Sequence, residues 1–411
     1  MRWALVVSMV LSVVAMADDQ RIDSTTIHGK TLCGYQGWFR CPGDTLNIGW
    51  VHWSRDTKRI VPETLTFEMW PDMTEYPEEE QYRAEGFTYA DGGPATLYSA
   101  ENKQTVLRHF QWMAKYGIHG VWLQHFLVGM PEGPEGSVMY DSHRRVLEHV
   151  REAARATGRV WALAFDMAAM PPDRIYESIT NEWKRLVDAG VSNDDRYLHE
   201  KGLPVLMVWG FYPKQNITPD IANRIIDFFK NDPKYKVFLA GGCEWEWRME
   251  TTPGWSAFLR RFDLICPWNV GNYSVDKAGN KSASTHYWHA DIEEARRVGM
   301  LYLPVFYPGF SWDNLKRLAP GKSVIERQGG RFFWKQFCAA AELGLDMGYV
   351  AMFDEVDEGT AIHKVTSTPP VQAHFVGYDG LPSDWYLRLA GEGTKMLLRQ
   401  RPFSNELPVR P

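Results

Sequence analysis

The chain has 411 residues, 45% of them hydrophobic, with a net charge of −6 and no basic block. That balance argues against nucleic acid as a partner and supplies apolar material for one large core. The length exceeds that of a usual domain, yet α/β barrels run this long as one unit with insertions.

At the start, Arg2 precedes an apolar run over 5–14, and Ala15-Met16-Ala17 precedes Asp18. A basic start, a short apolar region and an Ala-x-Ala site predict a secretory signal peptide over 1–17, with export to the periplasm or medium. The run is too short to span a membrane, and no later stretch is a candidate span.

A first strand is predicted over 33–39, Cys33-Gly34-Tyr35-Gln36-Gly37-Trp38-Phe39. A Pro/Asp/Glu-rich stretch over 41–99 follows, with Trp50, Trp53, Trp70 and Tyr76 but no sustained periodicity. It reads as an ordered insertion folded over the mouth of the fold, with short strands over 48–52 and 64–68. Val106, Phe110, Met113 and Ala114 share a helical face over 101–116. From there strands and helices alternate. Strands are expected over 119–126, 159–166, 204–209, 236–240, 262–267, 301–307 and 348–353. Helices are expected over 142–157, 171–189, 218–230, 255–261, 291–298, 325–343 and 382–399.

Eight apolar strands, each followed by a helix, predict a (β/α)8 TIM barrel with a long loop insertion after the first strand. Residues 18–411 then form one catalytic domain. No Gly-x-Gly-x-x-Gly follows the first strand, which disfavours a Rossmann fold. The five cysteines are Cys33, Cys41, Cys243, Cys266 and Cys338. An odd number leaves at least one unpaired; Cys33 and Cys41 are near enough to bridge a loop, and Cys338 reads as a buried thiol. No Cys-x-x-Cys or tight Cys/His spacing appears, so neither a metal nor a cofactor is expected. No Gly-x-Ser-x-Gly elbow is present either.

Barrel chemistry sits at the C-terminal ends of the strands. The stretch Asp354-Glu355-Val356-Asp357-Glu358-Gly359 puts four carboxylates there within five residues. Acids are poor strand formers and costly to bury unpaired. Paired carboxylates supply an acid and a base, and close like charges with partial burial push their pKa values apart. The other strand ends offer Tyr35, Gln36 and Trp38; Trp122, Gln124 and His125; Asp166; Glu244; Trp268 and Asn269; Tyr307 and Trp312. Aromatic faces of this kind stack on the C–H faces of sugar rings. The candidate catalytic pair is Glu355 and Glu358. The candidate substrate-binding residues are Tyr35, Trp38, Trp122, Gln124, His125, Asp166, Glu244, Tyr307, Trp312, Asp354 and Asp357. Trp122 and Trp312 serve equally well as core packing, Asp166 as a loop brace and His125 as a hydrogen-bonded rim residue. The partner these residues suit is an oligo- or polysaccharide. A carbohydrate-binding barrel without catalysis, and a metal-dependent hydrolase using Asp166, His125 and the acidic motif, are the alternatives.

The motif resembles glycoside hydrolase family 99, the endo-α-mannosidases, and its family 71-like neighbours. That family carries Asn-Glu-Trp-His-Glu-Gly after a late barrel strand, with two glutamates spaced as Glu355 and Glu358 are here. Tyr35-Gln36-Gly37-Trp38-Phe39 is similar to the aromatic first strand of the group. The resemblance implies a secreted retaining α-glycosidase. It implies that Glu355 acts as base on the substrate's own 2-hydroxyl, giving a 1,2-anhydro sugar, and that Glu358 acts as general acid and then as base to water. Asp354 stands where the family has Asn, and Val356-Asp357 where it has Trp-His, side chains that help form its sugar subsites.

Overall fold

The computed structural model describes residues 21–133, 136–215 and 217–411. The leader expected over 1–17 lies outside the described residues. The run Val160–Asp166 is buried at all seven positions. A strand apolar on both faces must lie between a packed interior and a helical layer, which is what a parallel barrel provides. The barrel strands, one to eight, are Thr31–Tyr35, Gly120–Phe126, Val160–Asp166, Leu203–Trp209, Phe238–Glu244, Leu264–Trp268, 301–306 and Gly348–Val350. Each pairs in parallel with its sequence neighbours, and strand one also pairs with strand eight.

Strand seven closes the ring in two halves. Leu301–Tyr302 pairs with strand six, and Val305–Phe306 pairs with strand eight. Between them Leu303 N donates to Ile265 O, and Pro304 O accepts from Tyr349 N. The expected unbroken strand over 301–307 is interrupted because Pro304 has no N–H to give to the ladder. Strand eight ends at Val350 rather than 353. The Ala351 and Phe353 amides still donate to Phe306 O and Gly34 O, holding the following turn against strands seven and one.

The helices lie where apolar spacing puts them, with boundaries set by local chemistry. Thr218 caps Pro219–Asn231 by accepting from Ile221 N, and proline fills the first turn. The helix expected from 325 starts only at Arg331. Gly330 has φ +96, and an added Cβ would sit 2.4 Å from Leu389 Cδ1, so the entry turn needs glycine. Gly136–Thr157 begins six residues earlier than expected.

The insertion differs most from expectation. No strands form over 48–52 or 64–68; a single bridge joins Ser54 to Leu65. The hairpin is instead Tyr82–Thr88 with Pro94–Leu97. Trp50, Trp53, Trp70 and Tyr76 are all buried, which makes the insertion a packed cap rather than a loose loop. Its inner edge is tied to the chain after strand eight. Glu68 N donates to Val356 O, Asp72 N to Lys364 O, and Thr366 N to Trp70 O.

All five cysteines are buried free thiols, so the Cys33–Cys41 bridge is not made. Cys33 lies within barrel strand one, while the Cys41 thiol donates to Tyr98 O at 3.2 Å. No helix among the described residues is long and apolar enough to cross a membrane.

Gly34 allows strand one to pass close to the floor of the barrel mouth. A Cβ there would lie 2.2 Å from the Met352 sulfur and 2.4 Å from the Tyr349 hydroxyl. Gly34→Ala is expected to destabilise the fold by about 1–3 kcal/mol through overpacking, read as a lower urea midpoint with an unchanged slope.

Candidate active site

Register decides which side chains share the barrel interior. Phe126, Asp166, Trp209, Gly242 and Cys266 are Cα partners in turn across strands two to six. Because alternate residues face opposite sides of a strand, this row points one way together. All five line one cleft at the C-terminal mouth. One layer below, Gln124 and Met207 face the same way. Gln36, Trp38, Trp268, Tyr349, Met352, Glu355 and Glu358 complete a cleft of about 250 Å³.

The acidic loop is held by backbone bonds on both sides. Glu355 O accepts from Thr360 N and Ala361 N, and Glu358 O accepts from Ser311 N at 3.0 Å. The buried Arg327 guanidinium donates to Gly359 O and Ala361 O, both at 2.7 Å. Gly359 has φ +63, and a Cβ there would meet Ser311 N at 2.8 Å, so the turn between the acids and the next segment requires glycine. From the insertion, the Glu68 carboxyl accepts from Ser311 Oγ and from the amides of Asn314 and Leu315.

The four acids of the loop have different surroundings. Asp354 is fully buried and turned away from the cleft; its two oxygens accept from Gln36 N and Gly37 N, each at 2.8 Å. It thereby fixes the end of strand one, from which Gln36 and Trp38 reach the cleft. Glu355 is 7% exposed. Burial first, then the charges of Glu358 and Asp357, push its carboxyl well above the ordinary range, while a hydrogen bond from the Gln36 side chain opposes the shift. Glu358 is half-buried, and burial followed by the Asp357 charge pushes it up to about 7, against the pull of Lys316. Asp357 lies 3.5 Å from His52 Nδ1. His52 stacks flat on Trp38, with ring centroids 3.9 Å apart and planes 6° apart. His52 has φ +61, an uncommon conformation for a residue with a side chain, and it joins the insertion to the cleft wall. Across the cleft, burial raises Asp166 to about 7, even though its Oδ1 accepts from Ala168 N at 2.7 Å.

Of the residues singled out from the sequence, Trp38, Gln124, Asp166, Glu355 and Glu358 converge on the cleft. The others lie elsewhere. Tyr35 turns outward from the barrel, its hydroxyl 2.9 Å from His109 Nδ1 beneath Lys103–Tyr116. His125 also faces outward and stacks on His143, because it alternates with Gln124 and Phe126. That orientation separates it from Asp166 and from the acidic loop. Trp122 points inward but is fully buried, stacked on Tyr349 two layers below the mouth. Glu244 sits above the ring of cleft residues and pairs with Lys214 at 3.2 Å. Tyr307 is buried and donates to Asn272 O, and Trp312 is on the outer rim at 37% exposure. Asp354 and Asp357 act behind the cleft rather than in its wall.

Phe126, Met207, Trp209, Cys266, Tyr349 and Met352 were not among the candidates. A barrel register would have found them, since each lies an even number of positions from an inward-facing residue or directly beside one. Trp209 and Trp268, with rings 5.5 Å apart, form the aromatic wall opposite the glutamates.

The fold is a (β/α)8 barrel with an insertion-capped mouth. Among solved structures it is similar to the glycoside hydrolase family 99 endo-α-mannosidase from Bacteroides thetaiotaomicron. The likeness has a TM-score of 0.68 at 14% identity over 91% of this chain and 99% of that one, in two structures, one of them a complex with bis-tris propane. A glycoside hydrolase-like protein aligns at TM-score 0.50 and 14% identity, over 84% of this chain and 98% of that one. No family model and no curated protein matches the chain.

Two predictions follow from the buried acids. Asp354→Ala leaves two amide donors without acceptors and is expected to cost about 2 kcal/mol in chemical denaturation, with Asp354→Asn costing less. For Asp166 the folded state holds its proton more tightly than the unfolded chain. Its favourable contribution is therefore complete below about pH 4 and is lost as pH rises to about 7. Asp166→Asn should be more stable than the parent at pH 8, by about 1–3 kcal/mol, with the advantage vanishing near pH 4 in thermal melts.

Proposed function

We propose that the chain is a glycoside hydrolase that cleaves α-glycosidic bonds of a glycan with retention, using Glu355 and Glu358. The observation that carries this reading is the convergence of these two glutamates, three apart on one loop, on an aromatic-walled cleft that raises both their pKa values. The fold shared with the family 99 endo-α-mannosidase structures supports it, and the three-residue spacing of the acids matches the motif of that family.

The two carboxyls divide one proton between them. Glu358, half-buried and raised to about 7, holds a proton near neutral pH and suits donation to a leaving oxygen. Burial still raises Glu355, but with Glu358 neutral the largest charge repelling it is gone, and the Gln36 hydrogen bond favours its ionised form. Glu355 then takes the proton of the sugar 2-hydroxyl as that oxygen closes on C1. The C1–O bond to the leaving group breaks, and Glu358 protonates the departing oxygen. The 1,2-anhydro ring opens when water adds to C1, its proton passing to Glu358 while Glu355 returns a proton to O2. Two inversions at C1 leave the configuration retained. Trp38, Trp209 and Trp268 offer faces for ring stacking, and the free oxygen of Asp166 and the Gln124 amide offer hydroxyl contacts. The leader sequence supports a place for this chemistry outside the cytoplasm.

Glu358→Gln and Glu355→Gln are each expected to lower kcat/KM on α-linked oligosaccharides by 10³-fold or more with melting temperature preserved. Glu358→Gln should lose far less on an aryl glycoside whose leaving group needs no proton. Undiminished cleavage by both variants removes the pair from the chemistry. In the parent, kcat/KM should fall as pH rises above about 7, when Glu358 loses its proton, and this limb should be missing from Glu358→Gln assayed on the aryl substrate.

A further inference from the structure

The cleft and a groove at the other end of the barrel have linings of opposite charge. The cleft is lined by Asp166, Glu355 and Glu358 and, among the described residues, by no Lys, Arg or His. At the other end, where the chain enters strands two and three, lies a groove of about 740 Å³. It is lined by Lys115, His119, Arg159, Arg388, Lys395 and Arg410, with Glu392 the one acid among the described lining residues. Glu392 is already engaged by Lys395 at 2.7 Å and by Arg401 at 2.5 Å.

Donors dominate here in kind as well as number. His119 Nδ1 accepts from Thr31 N at 3.1 Å, so the ring proton is on Nε2. Burial, then Arg159 and Lys30, hold this imidazole neutral with a pKa of about 3, so the assignment does not change with ordinary pH. Arg159 donates to the carbonyls of Thr157 and Ile118, which aligns its guanidinium beside that ring. Arg388 is placed by Asp384 at 3.1 Å and by Arg410 O at 2.9 Å. Lys115 lies over the Tyr116 ring and is exposed.

We infer that this groove is a second binding site, for an acidic glycan carrying sulfate or carboxylate groups, held at the end of the barrel opposite the cleft. Oxyanions match a surface made of guanidinium, ammonium and imidazole donors. A bilayer is a poorer fit. The surface is concave, and none of the large exposed apolar side chains of the described residues lines it, so nothing is available to insert. The choice of a glycan rests on the proposed hydrolase reading; the choice of an anion does not. Because the cations line the groove and the lining of the cleft offers none among the described residues, the acidic chain bound in the groove is an anchor and not the bond that is cut.

The test is calorimetric titration of the full chain with a sulfated dextran oligosaccharide, neutral dextran, inorganic phosphate and vesicles containing phosphatidylserine. Sulfated dextran should bind at least tenfold more tightly than neutral dextran, and its affinity should fall at least tenfold between 50 and 300 mM NaCl. The double variant Lys115→Glu/Lys395→Glu should lose tenfold or more in affinity while cleavage of a neutral α-glycan is unchanged. Arg410→Glu should show a smaller loss in the same direction and serves if the double variant does not fold. Glu358→Gln should bind like the parent, so a failure of the hydrolase reading would leave this result standing. Absence of binding, equal binding by both charge variants and parent, phosphate matching the polymer, or a preference for vesicles would each overturn the proposal.

Discussion

Like charges crowd the end of strand eight, and much of the molecule is arranged around that crowding. Asp354, Glu355 and Asp357 are each less than a tenth exposed, and Glu358 is half-buried beside them. Burying one carboxylate without partners is costly, and neighbouring charges add to the cost. The structure answers differently at each residue. Two backbone amides receive Asp354, a histidine from the insertion faces Asp357, and an amide side chain reaches Glu355. For Asp354, Glu355 and Glu358 the answer is incomplete and all three remain raised, burial outweighing the donors; of these the two glutamates form the pair that faces the cleft. A shared proton is the cheapest state left to such a pair, and a shared proton is what acid–base chemistry uses.

The insertion belongs to the same solution. Its buried tryptophans form a cap whose inner edge bonds to Val356, between the two glutamates, and to Lys364, beyond them. Glu68 receives Ser311, whose amide in turn donates to Glu358 O. His52 stacks on Trp38 and faces Asp357, joining the cap, the aromatic wall and the acidic loop in one contact chain. Within the loop, backbone bonds such as Val356 N to Asp354 O and Ala361 N to Glu355 O shape the turn, and the side-chain partners of its carboxylates come from outside it, because the acids themselves carry no side-chain donor.

The barrel was legible from the sequence because its signal is local. Seven-residue apolar runs such as Val160–Asp166 alternate with amphipathic helices, and that suffices to count strands. The acidic loop was legible because four acids after an apolar run violate a simple expectation. Orientation was not legible. Whether Tyr35 or Gln36 faces the interior depends on where strand one sits relative to strand two, a stagger fixed by long-range pairing. Tyr35 and His125 therefore looked like cleft residues and turn outward, while Trp209, which the sequence placed only at the end of the fourth strand, stands in the wall. The break in strand seven was written in Pro304, but apolar residues on both sides masked it. In the insertion the aromatic content announced order without announcing form, since a packed cap with few ladders has no period to read.

Charge separation extends this logic to the whole molecule. The cleft is lined by three acids and, among the described residues, by no cation, whereas the groove at the opposite end gathers five cations around a donor imidazole. The net charge alone, −6 over 411 residues, conceals both features. Fields at the two ends of a barrel are separated by more than about two Debye lengths at physiological salt, since strands of seven residues with their loops span more than about 20 Å. Each end can thus attract its own ligand without weakening the other. If the two proposed readings hold together, one end would retain the protein on an acidic matrix while the other met the glycan, and holding a catalyst near its substrate raises encounter frequency without any change in the chemistry of the site.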